Sequence, residues 1–255
     1  MLASDLALAL DPVLLSQRAG LVPDDWQERV LRSTSPRLLL NACRQSGKSS
    51  TVATLAVHTT VFDPGALVLL VSPTLRQSGE LFKKALAVYR ALDRPVLAES
   101  ETALTLTLEN GSRIVSLPGQ EGRVRGYSGA ALIAIDEASR VPDDLYLALR
   151  PMLAVSGGRL IALSTPWGKR GWWHAEWTDG GPGWERYEIP ATACPRIPAA
   201  FLDEERRSMG PLFFASEYEC QFVETEDQLF AYDDIAAAIT AEVQPLFPGG
   251  MIDGA

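Results

Sequence analysis

Apolar residues along this chain cluster in short unbroken runs that stand between stretches of helical rhythm. Leu38-Leu39-Leu40, residues 66–71, residues 131–135 and residues 159–163 are apolar almost throughout. Runs of that length without polar alternation predict strands buried on both faces. Between them, Pro23 and Asp24 mark a helix start over 21–33, with Trp26 and Val30 one turn apart on a common face. Further helices are predicted over 48–60, from Ser72-Pro73-Thr74 to about residue 92, and over 141–152. Residues 102–108 alternate, Asn110-Gly111 forms a turn of the I′ kind, and residues 113–117 return, which predicts a hairpin. Buried strands separated by helices predict an α/β fold, a mostly parallel sheet flanked by helices.

The ends read differently. Residues 1–15 are Leu-rich but carry Asp5 and Asp11 and no basic n-region, so they read as a short amphipathic helix and not as a signal peptide. From about residue 180 Gly and Pro become frequent, and two helices, 198–208 and 211–221, follow with no strong strand between them. The expected organisation is a core over 1–179, a small helical lid or linker over 180–230, and a loosely ordered tail over 231–255.

The stretch Ala42-Cys43-Arg44-Gln45-Ser46-Gly47-Lys48-Ser49 has the spacing of a Walker A phosphate loop, with Ala42 where the first glycine usually stands. It follows a buried strand and opens a helix, the context this motif requires. Gly47 lets backbone N–H groups approach phosphate, Lys48 reaches the β and γ oxygens, and the Ser49 hydroxyl suits Mg²⁺. The nucleotide-binding candidates run from Ala42 through Ser50. About ninety residues later, Leu132-Ile133-Ala134-Ile135 leads into Asp136-Glu137, the Walker B form. Asp136 would hold Mg²⁺ with Ser49, and Glu137 would polarise the attacking water; read alone, Asp136 is equally well a helix cap. A fourth strand ends in Ser164-Thr165-Pro166, where Thr165 would lie beside the γ-phosphate; an ordinary turn explains those hydroxyls as well.

Composition narrows the picture little. The 255 residues are 47% hydrophobic, enough for a substantial core, and no apolar run approaches the roughly 18 residues a membrane span requires. The three cysteines form no CxxC pair, so neither a disulfide framework nor a zinc site is expected. A net charge of −9 argues against a protein that coats nucleic acid, while leaving room for local basic surfaces around Arg113, Arg123 and Arg125 or Lys169 and Arg170. The Trp residues at 167, 172, 173, 177 and 184 read as packing more than as a base-stacking surface.

From about residue 21 to 230, the order of these motifs resembles the ATPase domain of the terminase large subunit, the DNA-packaging motor of tailed phages. The resemblance implies a P-loop NTPase of the additional-strand, RecA-like class, binding ATP and Mg²⁺. Asp25-Trp26-Gln27 matches the family's adenine motif, with Gln27 as the adenine reader. Arg44 occupies the place of the family's basic residue inside the loop. Arg123-Val124-Arg125-Gly126-Tyr127 resembles the basic loop before the Walker B strand, a source of the arginine that a neighbouring subunit inserts, so Arg44 and Arg125 stand as the arginine candidates, Arg125 being favoured over Arg123 within that loop. Ser72-Pro73-Thr74-Leu75-Arg76-Gln77-Ser78 resembles a segment implicated in DNA or subunit contact. Ser164-Thr165-Pro166 matches the coupling motif and residues 217–222 the end of the lid.

The implied function is ATP hydrolysis driving double-stranded DNA into a procapsid. The implied partners are neighbouring copies in a ring, the portal protein and the small subunit, in the cytoplasm of an infected bacterium and transiently at the portal. The family's nuclease would follow the lid; residues 231–255 are too few to hold one, so Asp233 and Asp234 are not assigned as its ligands. The alternatives are another DNA-dependent ATPase, such as a helicase or recombination motor, and a nucleotide-binding module that does not hydrolyse. A two-core helicase draws its arginine from a second core that one phosphate loop does not supply, and a module without hydrolysis would not be expected to keep Lys48, Ser49, Asp136 and Glu137 together.

Overall fold

The computed structural model describes residues 2–119, 126–224 and 238. Residues 1–223 form one compact unit. The expectations for Arg123, Arg125, Asp233, Asp234 and the tail lie outside the described residues.

The apolar runs become strands because each can bury both faces. β1 (Arg37–Ala42), β2 (Leu67–Ser72), β6 (Ala130–Asp136) and β7 (Arg159–Ser164) are buried along almost their whole length. Successive residues divide between two cores: Leu38, Leu40, Val68, Leu70, Ile161 and Leu163 on one side, Leu39, Leu69, Ile133, Ile135 and Ala162 on the other. A fully buried leucine contributes roughly 1.5–3 kcal/mol, so each run is held from both sides. The first core is closed by α3 (Asp25–Arg32), α4 (Lys48–Phe62) and α5 (Leu75–Ala91). The second is closed by α6 (Asp143–Leu149) and α7 (Gly171–Thr178).

The sheet has eight strands in the order β3-β4-β5-β2-β6-β7-β1-β8. β5 (Arg113–Pro118), β2, β6, β7, β1 and β8 (Glu185–Ile189) pair in parallel, and β3 (Ala98–Glu101) and β4 (Thr105–Leu108) add an antiparallel edge. β7 lies between β1 and β6, the additional-strand order expected. The C-terminal ends of β1, β2, β6 and β7 therefore meet along one edge of the sheet, where open α/β sheets bind ligands.

Several local expectations are revised. The N-terminal helix is two helices, α1 (Leu2–Leu10) and α2 (Pro12–Arg18), because Asp11 accepts the Val13 N–H at 3.0 Å as a cap and Pro12 begins the second. The hairpin loop is not of type I′: the Gly111 N–H donates to the Leu108 carbonyl, and Gly111 is left-handed at φ +81° while Asn110 is not. That is a three-residue connection with glycine at the bulge position. The helix expected over 141–152 stops at Leu149, and a 3₁₀ turn over Arg150–Leu153 containing Pro151 follows.

The segment expected to be a helical lid contains β8, paired with β1, ahead of α8 (Ala199–Ser208) and α9 (Pro211–Glu219). Trp172 and Trp173 are 6% and 2% exposed, and Trp172 stacks on Tyr146 with centroids 4.0 Å apart. They belong to the second core and are not a free stacking surface.

Two glycines test this packing from opposite sides. A Cβ at Gly158 would lie 2.1 Å from the Ala130 carbonyl oxygen, whereas one at Gly79, inside α5, meets nothing within 4 Å. Gly158→Ala is expected to lower unfolding free energy by more than ~2 kcal/mol, and Gly79→Ala to raise it by ~0.5–1 kcal/mol, both read by urea denaturation.

Candidate nucleotide site

β1 delivers the chain into the loop, and the loop's shape follows from two left-handed residues, Gln45 at φ +62° and Gly47 at φ +93°. Gly47 tolerates that conformation because it has no Cβ. It is also the N-cap of α4, whose first N–H groups and positive dipole end face the loop. The loop is anchored from behind. The Cys43 N–H donates to the Ile189 carbonyl at 2.9 Å, the Arg44 N–H to the Glu217 carbonyl at 2.8 Å, and Asn41 Nδ2 to the Cys220 carbonyl at 2.8 Å. β8 and α9, from the segment expected to be a lid, thus form the back wall of the loop.

Across the strand ends the sequence candidates converge. Ser49 Oγ donates to Asp136 Oδ2 at 3.0 Å, although the residues are 87 positions apart. Lys48 is 7% exposed, its Nζ only 3.5 Å from the Cys43 carbonyl. Burial pushes the Asp136 carboxyl above its ordinary value, as does the neighbouring Glu137 carboxylate, while Lys48 and the Ser49 hydroxyl pull it down. Glu137 holds φ +52°, a left-handed conformation that costs a β-carbon residue about 1 kcal/mol. Its N–H donates to Asp136 Oδ1 at 3.0 Å and its carbonyl accepts from the Arg140 N–H at 2.9 Å, so the strained turn is held at both ends.

Lys48, Ser49 and Glu137 line one cleft of about 800 Å³ with Arg44, Gln45, Ser46, Gly47, Ser50 and Thr165, and Asp136 lies buried behind Ser49. Its charged lining is four basic residues, Arg44, Lys48, Lys84 and Arg140, against Glu137 and Glu217. A triphosphate fits that balance. The fully buried Ser46 Oγ has no hydrogen-bond partner among the described residues, and the paired Ser49 and Asp136 oxygens are the hard donors a Mg²⁺ ion prefers.

Other candidates sit differently from expectation. Arg44 is mostly exposed, and among the described residues its side chain makes only a long 3.5 Å ion pair with Glu217, a contact worth little. Gln27 is buried and engaged at both ends: its Oε1 accepts the Asp24 N–H at 2.8 Å and its Nε2 donates to Thr51 Oγ1 at 2.9 Å. Ser164 turns away from the cleft and hydrogen-bonds Ser139 at 2.7 Å, leaving Thr165 as the lining hydroxyl. In the 72–78 segment, Pro73, Thr74 and Gln77 line the cleft while Arg76 is exposed.

Sequence reasoning missed Lys84, Arg140, Glu217 and Arg196. Arg140 lies over the Trp167 ring at 3.9 Å, joining the turn after Glu137 to the residue after Pro166. Glu217 begins the segment matched to the end of the lid, but nothing in that segment pointed to this cleft; the other three carry no local motif, and only the folded chain brings them in.

A family model described as terminase large subunit, T4-like-virus type, N-terminal, matches residues 39–237. The chain belongs to this family. Relatives include the terminase large subunits of Thermus phage G20c, 26% identical over 88% of this chain, and of Escherichia phage T5, 27% identical over 83%. The chain spans about half their length, 53% and 50%. Among solved structures, the large terminase ATPase domain of Thermus phage P74-26 superposes with a TM-score of 0.73 at 22% identity, covering 82% of this chain and 97% of that one. The large terminase of a thermophilic bacteriophage in complex with ADP gives 0.66 at 14% identity, covering 78% and 53%. At those identities the structural likeness speaks to the terminase fold.

Because burial holds the Asp136 carboxyl above its unfolded value of 3.8, its ionisation costs stability once pH exceeds that value. Asp136→Asn removes this cost. The variant is expected to melt above the wild type near neutral pH without nucleotide, the gap closing as pH falls towards 4, as melting temperature across pH will show.

Proposed function

We propose that this chain is an ATP-hydrolysing motor domain that drives double-stranded DNA into a viral procapsid. The observation that carries this reading is the meeting of Lys48, Ser49 and Glu137 in one basic cleft, with Asp136 hydrogen-bonded to Ser49, in a chain of the terminase family. Bound nucleotide in a structural relative, the thermophilic-phage large terminase with ADP, supports the choice of ligand.

In this reading the loop N–H groups and Lys48 bind the β and γ phosphates, with Lys84 and Arg140 adding positive charge at the mouth. Ser49 and Asp136 would hold a Mg²⁺ ion, which supplies charge neutralisation on phosphate oxygens. Glu137, fixed by its two backbone hydrogen bonds, orients water for attack on the γ-phosphorus. Thr165 faces the same cleft, and the Ser139–Ser164 hydrogen bond ties the catalytic turn to the strand that carries it. The charge-offsetting arginine is Arg44 within the chain, or Arg123 or Arg125 from a neighbour. Ring assembly, portal and small-subunit contacts, and a site of action at the procapsid in the host cytoplasm belong to the same proposal.

Steady-state ATP hydrolysis tests it. Glu137→Ala should lower kcat by ~10²-fold or more, and Lys48→Ala should lower kcat/KM at least as far; full activity in either variant would sink the assignment. Turnover should rise steeply with protein concentration and with added duplex DNA, where a helicase would respond to single strands. If Arg125 acts on a neighbour's site, mixing Arg125→Ala with Glu137→Ala chains should restore part of the activity.

A further inference from the structure

Beside the phosphate cleft lies a second cavity of about 180 Å³, lined by Val22, Pro23, Gln27, Gly47, Thr51 and Arg196 among others. Gly47 and Ser50 line both cavities, so the two adjoin at the loop glycine and the start of α4. A purine base needs about this space, and apolar walls such as Val22 and Pro23 suit its faces. The base-reading groups here are limited. With one lone pair of Gln27 Oε1 taken by the Asp24 N–H and one Nε2 hydrogen given to Thr51, one N–H and one acceptor lone pair remain, and the side chain is held in place by α3 and α4.

Arg196 stands where Gln27 falls short. Its Nη2 donates to Asp24 Oδ2 at 2.7 Å and to the Ser46 carbonyl at 2.9 Å. A Cβ placed on Gly47 would lie 3.1 Å from that same nitrogen and 3.0 Å from Gln27 Nε2, so both side chains rest directly on the loop. Half of the Arg196 side chain is exposed, while Asp24 is largely covered. One guanidinium therefore bridges the turn that starts α3, the phosphate loop, and the rim of the second cavity. It arrives from the segment after β8, 150 residues from Ser46.

We infer that Arg196 is the residue that positions the base of a bound purine nucleoside di- or triphosphate, its planar face closing the second cavity while its nitrogens hold Asp24 and the loop. The inference rests on the nucleotide reading above. A guanidinium suits the task because it presents an aromatic-compatible face and in-plane donors at once, which an ammonium cannot. Gln27 becomes a support for the slot, locking α3 to α4 through Thr51.

The test separates base from phosphate. Calorimetric titration measures the Kd of Mg²⁺–ADP and of inorganic pyrophosphate, which has no base, on wild type, Arg196→Ala and Arg196→Lys. Arg196→Ala is expected to weaken ADP about tenfold and to leave pyrophosphate within about twofold. Arg196→Lys, which keeps the charge beside Asp24, should not restore ADP affinity. In turnover, KM for ATP should rise with kcat nearly unchanged. Equal weakening of both ligands would make Arg196 a support of the loop and overturn the inference, as would unchanged ADP binding or full rescue by lysine. Failure of the wild type to bind either ligand would instead overturn the nucleotide site itself.

Discussion

A carboxylate removed from water at the end of a buried strand, Asp136 at 7% exposure, is the constraint on which the site depends. A buried charge is tolerable only when hydrogen-bonded and faced by opposite charge. Here the hydroxyl of Ser49 and the ammonium of Lys48, both from the first turn of α4, meet that need. They reach it because β1 and β6 are separated by β7 alone, in fixed parallel register, Asn41 opposite Ser164 and Asp136 opposite Leu163. The register in turn is set by cores on both faces, since a one-residue slip would exchange the two sets of buried side chains.

The same strand ends join the Glu137 turn to its surroundings through a small number of specific contacts. Ser139 and Arg140, directly after Glu137, hold Ser164 and Trp167. Trp172, further along, donates from its ring N–H to the Val141 carbonyl and packs against Tyr146. The Glu137 turn, the end of β7 and α7 are therefore one connected body. On the other side of the cleft, the loop is bonded through its backbone to β8 and α9. A displacement of α9 has a hydrogen-bonded route to Arg44 and Asn41 through the Glu217 and Cys220 carbonyls.

How much of this was legible in the residues differs from element to element. The four central strands were readable because double-sided burial leaves a local mark, an unbroken apolar run. The loop and the acid pair were readable because phosphate and metal chemistry demands particular residues at close spacing. β8 was not: Glu185, Arg186 and Glu188 are charged, Tyr187 is polar, and none of the four is buried, so an edge strand held by backbone pairing to β1 leaves no apolar run. The N-terminal break and the 3₁₀ turn were signalled by Pro12 and Pro151, local information that the amphipathic rhythm outweighed.

By itself, then, the sequence determined the α/β class, the positions of the buried strands, the phosphate loop with Lys48 and Ser49, and the carboxylates Asp136 and Glu137. Those depend on propensity, burial and spacing within a dozen residues. Tertiary structure alone decided that Gln27 is bonded to Asp24 and Thr51, that Lys84 and Arg140 line the cleft beside the loop, that Trp172 and Trp173 fill a core, and that Arg196 lies on Gly47. Each of these is a meeting of side chains whose separation along the chain is set by the sheet order, and no local pattern encodes which distant partner a strand or helix will face.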